Sequence, residues 1–365
     1  MTTGDIVKVL EGFAPLGLQE DYDNAGLILG NRDGEIDKAL LCLDVTESVL
    51  DEAIRKGCGL IISHHPLLFR GIKKITGENP VERLLLKAIK NDLSLYAVHT
   101  NIDSVIHGVN GYLAKILDLN DIAILSPKHG MLKKLVTFCP ADKAEQVRKA
   151  LFEAGGGHIG NYDSCSYNVI GQGSFRPLEN AHPYVGEIGK IHFEEEVRIE
   201  TIFPAFKEQE IVKALLGSHP YEEVAYDIYR LDNEYKKVGS GMTGMLSYEM
   251  NENDFLNYIK TKINIPCIRH SGFTGRKIKK VALCGGSGKE LIHDAIVSGS
   301  DAFLTSDIKY HDFSEPDGKL LLADIGHYES EQFTKELLYS VLSEKFPTFA
   351  FLVTSENTNY VHYFL

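Results

Sequence analysis

Leu60-Ile61-Ile62-Ser63-His64-His65-Pro66 is an apolar run that ends in two adjacent histidines and a proline. Such a run reads as a buried strand that leaves its sheet at residue 66, because proline cannot continue the hydrogen-bond ladder. Successive side chains on a strand point to opposite faces. The two imidazoles therefore diverge, which suits two ions lying side by side better than one ion shared between them. Two further apolar runs end in the same way. Leu93-Ser94-Leu95-Tyr96-Ala97-Val98 leads into His99-Thr100-Asn101-Ile102-Asp103, and Leu320-Leu321-Leu322-Ala323-Asp324-Ile325-Gly326 leads into His327, with Glu331 one helical turn on.

Outward from this stretch the first third alternates strand and helix patterns. Residues 38–45 read as a strand, 47–56 as a helix with Val49, Leu50 and Ala53 on one stripe, and 59–64 as a strand. A helix over 81–90, a strand over 93–99 and a helix over 108–117 follow. The last third repeats the rhythm with strands over 280–284, 301–304, 320–325 and 348–353 and helices over 289–297 and 330–343. This pattern predicts an α/β fold with an open mixed sheet. Ligands of such sheets bind beyond the carboxyl ends of the strands, where His64, His65 and Asp103 fall. The middle differs. Strand 135–138, helix 144–154, the turn Gly155-Gly156-Gly157, strands 164–171 and 195–204, helix 207–216 and strand 225–231 form two β-α-β units, the pattern of a ferredoxin-like α+β module. The expected organisation is a discontinuous metal-binding α/β domain, residues 1–127 together with 239–365, interrupted by an inserted ferredoxin-like domain at 128–238.

The bulk properties are those of an ordinary globular chain. It has 365 residues, 44% hydrophobic and 24% charged, enough for two domains with real cores. No apolar stretch approaches the roughly 18–20 residues that span a bilayer, and the start Met1-Thr2-Thr3-Gly4-Asp5 lacks the basic segment of a secretion signal. Six cysteines are scattered without a C-x-x-C pair, and several, such as Cys42, lie within apolar runs. They read as reduced core thiols of a cytoplasmic protein. The net charge of −13 argues against a protein whose main task is gripping a nucleic-acid backbone.

His327 and Glu331 share one face of a helix, so both reach one centre. With His64, His65 and Asp103 they make three imidazoles and two carboxylates. A structural zinc site closes with four ligands, usually including cysteine. The larger set fits two divalent ions about 3.5–4 Å apart, bridged by a carboxylate, with positions open to water or substrate. Mixed imidazole and carboxylate ligation accepts Zn, Mn, Fe or Co without choosing among them. His99, Lys309 and His311 are candidates for catalytic or rim groups of the same pocket, as is Asp307 in Thr305-Ser306-Asp307-Ile308-Lys309-Tyr310-His311; a solvent-facing loop is the alternative for the last segment. Gly239-Ser240-Gly241-Met242-Thr243-Gly244 matches G-x-G-x-x-G, yet a strand follows it where a dinucleotide site needs a helix. It reads as a flexible re-entry into the main sheet. Cys284-Gly285-Gly286-Ser287-Gly288-Lys289 lacks the leading Gly and the Ser or Thr of a phosphate loop, which leaves tight strand–helix packing or a weaker anion site. There is no G-x-S-x-G elbow and no cysteine in an electropositive turn.

Asp23-Asn24-Ala25-Gly26-Leu27, Ser63-His64-His65-Pro66, His99-Thr100-Asn101-Ile102-Asp103, Thr305–His311 as quoted, and Gly326-His327-Tyr328-Glu329-Ser330-Glu331 together resemble the NIF three-like dinuclear metal-centre family. Its members are also described as homologues of type-two GTP cyclohydrolase I. Ser218-His219-Pro220-Tyr221-Glu222-Glu223-Val224-Ala225-Tyr226 resembles the long bacterial form, whose middle domain is similar to PII and CutA modules. Tyr22 departs from the Trp that the family often carries there, an exchange of one aromatic ring for another. The resemblance implies that His64 and His327 hold one ion, His65 and Asp103 the other, and that Glu331 bridges them. It further implies a homohexameric toroid and a metal-dependent hydrolase, with water attacking a guanine ring and formate leaving, so that the small-molecule substrate is a nucleotide. The rival readings are a non-catalytic regulatory protein whose PII-like domain senses a metal or ligand, and a toroid that encircles nucleic acid.

Overall fold

The computed structural model describes residues 1–364. The chain forms two compact units, Met1–Pro127 with Lys236–Leu365, and Lys128–Tyr235. The first unit begins with α1 (Thr3–Phe13), capped by Thr2, whose hydroxyl accepts from the Asp5 N–H while the Asp5 carboxylate accepts from the Thr2 N–H. Then come β1 (Gly26–Leu29), β2 (Lys38–Cys42), α2 (Glu47–Lys56), β3 (Leu60–Ser63), α3 (Pro80–Lys90), β4 (Ser94–Ala97), α4 (Thr100–Asp103), α5 (Val109–Ile116) and β5 (Asn120–Pro127). The second unit holds β6 (Leu132–Pro140), α6 (Ala144–Glu153), β7 (Tyr167–Phe175), β8 (His192–Pro204), α7 (Glu208–Ser218) and β9 (Tyr226–Leu231). The chain returns to the first unit with β10 (Gly239–Met250), α8 (Glu252–Lys262), β11 (Arg269–His270), β12 (Ile278–Ser287), α9 (Ile292–Val297) and β13 (Ala302–Ser306). It finishes with β14 (Leu321–Asp324), α10 (His327–Glu331), α11 (Thr334–Lys345) and β15 (Ala350–Val353).

The first unit is built on two mixed sheets where the strand–helix rhythm predicts one. The first has the order β1-β4-β3-β2-β15 and the second β11-β14-β13-β12-β10-β5. Each has a parallel centre, joined through α2 and α3 in the first sheet and through α9 and a short 3-10 turn at Asp312–Ser314 in the second, and is flanked by antiparallel strands, β1 on β4 in one, β10 on β12 and β11 on β14 in the other. The halves of the unit exchange a strand each. β15 from the end of the chain pairs with β2, and β5 from the first third pairs with β10. No local sequence pattern encodes such long-range partners, which is why the rhythm alone merges the two sheets.

Burial on both faces explains the unbroken apolar strands. Leu60 and Ile62 of β3 pack with Ile6 and Leu10 of α1 and Leu338 of α11, whereas Ile61 packs with Val49 and Leu50 of α2 and Leu85 of α3. The second sheet is likewise covered by α5 and α8 on one side and α9 on the other. Each fully buried Leu or Ile contributes about 1.5–3 kcal/mol, so the strands cannot slip, and the first polar residues after them emerge at fixed points. Two local expectations are corrected. Gly239–Gly244 lies within β10 rather than in a flexible loop, because a Cβ at Gly239 would sit 2.2 Å from the Ser126 carbonyl of β5: the glycine serves close strand approach. The helix expected over 330–343 is two helices, α10 and α11, and α10 starts at His327.

In the second unit the sheet order is β7-β8-β6-β9, with every neighbouring pair antiparallel. Leu135, Val197, Ile199 and Phe203 face α6 and α7, packing on Val147, Leu151, Ile211 and Leu215.

Candidate metal centre

The carboxyl ends of the first unit's parallel strands deliver the polar side chains to one place. Asp44 follows β2, His64 and His65 follow β3, His99 caps α4 after β4, and Asp103 closes α4. From the second sheet, Asp307 follows β13, and His327 and Glu331 stand on α10 after β14. The backbone at the double histidine is pinned, since the His64 and His65 N–H groups both donate to the Leu43 carbonyl, at 3.1 and 3.0 Å. Asp307 sits in the left-handed region at φ 58°, a conformation that costs about 1–2 kcal/mol for a residue with a Cβ.

Glu331 is at the centre, 3% exposed. Its Oε2 lies 3.0 Å from His65 Nε2 and 3.1 Å from His327 Nε2. Its Oε1 lies 3.6 Å from His64 Nε2, which in turn is 3.8 Å from Asp103 Oδ1. The opposite nitrogens of two rings are held by carboxylates: His65 Nδ1 is 2.7 Å from Asp44 Oδ1, and His327 Nδ1 is 2.7 Å from Asp307 Oδ2. A carboxylate behind an imidazole fixes the ring and turns its other nitrogen into the better donor to a metal. Asp44 is in turn held by the Thr358 hydroxyl at 2.9 Å.

A glycine lets α10 come this close. A Cβ on Gly286, at φ 65°, would stand 2.2 Å from Glu331 Oε1. The Gly285 and Gly286 N–H groups donate to Asn110 Oδ1 and Ser330 Oγ, at 2.8 and 2.9 Å. Those amides are engaged in docking α5 and α10 and are not offered to an anion, so tight packing is the reading of this glycine-rich turn that the structure supports.

The electrostatics follow from burial and from the excess of carboxylates. Burial pushes His64 down to about 4, against the pull of Glu331. Burial acts the same way on His65 and His327, but their bonds to Asp44 and Asp307, and to Glu331, outweigh it and raise them to about 9 and about 11. Asp103 is raised by burial and by the neighbouring Glu331. Burial alone would also raise Glu331, yet His64, His327 and His65 hold it well below the usual carboxylate range. Both ring nitrogens of His64 and Oδ1 of Asp103 are buried without a hydrogen-bond partner among the described residues. Leaving a buried polar atom unpaired is costly, and of these His64 Nε2 and Asp103 Oδ1 stand together beside Glu331. His64, His65 and Glu331 place one donor atom each within 4.8 Å of one another. The donor chemistry and the orphaned atoms fit a divalent cation.

Of the residues singled out in the sequence, His64, His65, Asp103, His327 and Glu331 thus meet. His99 stands beside them, its ring centroid 5.5 Å from that of His64 and 5.6 Å from that of His65, with Nδ1 2.7 Å from Asp23 Oδ1. Lys309 and His311 are exposed on the loop after β13, from which Asp307 reaches the cluster. Asp44 was not anticipated; the available signal was an acid closing the apolar run Leu40-Leu41-Cys42-Leu43.

The sequence profile of the family described as Duf34/NIF3 (NGG1p interacting factor 3) matches residues 1–360. A Bacillus subtilis protein named GTP cyclohydrolase 1 type 2 homolog is 41% identical over 335 residues, covering 91% of this chain and 89% of that one. A protein of the same name from Halalkalibacterium halodurans is 40% identical over 346 residues, 93% of each chain. The crystal structure of a Bacillus cereus protein related to NIF3 superposes with a TM-score of 0.86 at 36% identity, covering 100% of this chain and 99% of that one.

Proposed function

The chain belongs to the Duf34/NIF3 family, and on that premise we propose that it binds two divalent metal ions through His64, His65, Asp103, His327 and Glu331 and hydrolyses a small molecule there. The observation that carries the reading is the division of donors about Glu331. Oε2 faces the Nε2 atoms of His65 and His327, each backed by a carboxylate, while Oε1 faces the orphaned His64 Nε2, which Asp103 Oδ1 also faces. Sorted by distance, His65 pairs with His327 and His64 with Asp103, a different partition from the one the family resemblance implies. Glu331 keeps its bridging place in both. Ions held there supply Lewis acidity for activating water and for stabilising negative charge as it develops.

His99 is the protein's own proton carrier in this reading. Asp23 is held down to about 2: burial would raise it, but bonds from His99 and Thr100 prevail. It is therefore an ionised acceptor for Nδ1–H, which leaves His99 Nε2 to take or give a proton. The Thr100 N–H, 3.0 Å from Asp23 Oδ2, and the Thr100 hydroxyl fix the carboxylate. The second unit, with its antiparallel order β7-β8-β6-β9 and both helices on one face, is read as an inserted ferredoxin-like domain, and the assembly as a cytoplasmic homohexamer, testable by the mass in solution. No helix among the described residues is long and apolar enough to cross a membrane.

The relatives' name makes GTP the first substrate to try. Metal-loaded protein incubated with GTP should release formate, and His99→Ala should abolish release while leaving metal content unchanged. Failure to hydrolyse GTP and a panel of other nucleotides, with the metal in place, would reject hydrolysis and leave a metal-binding protein.

A further inference from the structure

The second unit contains a cavity of about 700 Å³ on the face of its sheet opposite the helices. Glu196 of β8 forms its floor and is only 8% exposed. It points away from Val197 and Ile199, which pack in the helix-side core. β7 makes room for it: Gly171 is its partner in the ladder, and a Cβ on Gly173 would lie 2.1 Å from Glu196 Oε2. Among the described residues, its hydrogen-bond donor is the Tyr221 hydroxyl, 2.9 Å from Oε1, and no Lys, Arg or His pairs with it. A carboxylate offers about four acceptor positions, and burying one without a cation is unfavourable. The floor is thus short of positive charge and of donors.

The walls are aromatic. Phe175 and Tyr221 have ring centroids 5.9 Å apart with planes at 60°, and Tyr184 and Tyr221 6.2 Å apart at 49°. Rings inclined like this make a cup rather than the parallel slot that a flat heterocycle would need. Ring faces attract cations. The charged residues at the mouth are exposed and of both signs, with Arg198 already tied to Glu200 at 2.9 Å, so the floor decides what enters. We infer that this cavity binds a small organic cation, a molecule whose protonated amine or guanidinium head docks on Glu196 between Phe175 and Tyr221.

The test is calorimetric titration of the full-length, metal-loaded protein with agmatine and with n-hexylammonium, using n-hexanol as the uncharged counterpart. Both cations should bind, and n-hexanol should bind at least about tenfold more weakly. Glu196→Gln keeps an acceptor for the Tyr221 hydroxyl and removes the charge. It should weaken cation binding by about ten- to a hundredfold, the worth of a hydrogen bond to a charged group, with circular dichroism and metal content unchanged. Tyr184→Ala removes a ring that is 47% exposed and should also weaken the cations, so it tests the site independently if Glu196→Gln fails to fold. Equal binding of n-hexanol, unchanged affinity in the folded variants, or no cation binding at millimolar concentration would each overturn the assignment.

Discussion

His65 is gripped from two sides, by Asp44 at Nδ1 and by Glu331 at Nε2, and His327 is gripped in the same way by Asp307 and Glu331. The supporting carboxylates touch no ion in this reading, but they set which nitrogen is basic. Asp44→Asn and Asp307→Asn should each reduce metal affinity by about ten- to a hundredfold with little change in fold, measured by competition with a chelator. The same contacts set the pH dependence. Unperturbed imidazoles near 6.5 would already be neutral at pH 8. Raised to about 9 and about 11, His65 and His327 are protonated there in the metal-free protein, and a metal must displace those protons. Affinity should therefore keep rising as pH increases from 7 towards 9. Uptake near pH 8 should release about two protons per chain, read as a buffer-dependent binding enthalpy. A buffer-independent enthalpy would mean that these rings are neutral before the metal arrives. The donors were legible in the sequence because each closes a strongly apolar run or shares a helix face. Asp44 was not, because a single acid after a strand is ordinary turn chemistry until its partner is known.

At the scale of elements, the centre depends on how closely β12 can approach α10. Gly286→Ala places a methyl group against Glu331 Oε1 and asks a side chain to adopt φ 65°. The expected result is a loss of about 1–2 kcal/mol in stability together with loss of metal, as α10 is pushed off the strand. Thermal unfolding and elemental analysis of the same sample check both parts; undiminished metal content would show that Glu331 is not held by this contact. Elements with strong local signals were readable. The α2 helix runs over Glu47–Lys56 as its stripe predicts, closed by Gly57 in the left-handed region at φ 68°. The break between α10 and α11 was hidden, because both halves carry helical residues throughout. The division into two sheets was hidden for a different reason: it depends on β5 meeting β10 and β15 meeting β2, pairings between residues far apart in the chain.

At the scale of the molecule, the second unit leaves and re-enters the first at adjacent points. Pro127 of β5 is the ladder partner of Gly239 in β10, and just before it Lys237 and Val238 pair with Ile106 and Val105. Removing Lys128–Tyr235 and joining the ends through a short Gly-Asn turn should convert β5 and β10 into a hairpin. All five proposed ligands belong to the unit that remains. The shortened chain should fold, bind metal and lose the cation site, as circular dichroism, elemental analysis and calorimetry would report. A well-folded product without metal affinity would mean that the removed segment takes part in the centre.

The central claim is that Glu331 joins two metal positions. Elemental mass spectrometry of natively purified protein, with protein concentration from amino-acid analysis, tests it most directly when wild type, Asp103→Asn and Glu331→Gln are measured together. The expected result is about two divalent ions per wild-type chain, partial loss in Asp103→Asn, and almost complete loss in Glu331→Gln with its secondary structure intact. Two tightly held ions in Glu331→Gln, or none in the wild type after exposure to Zn, Mn, Fe and Co, would contradict it.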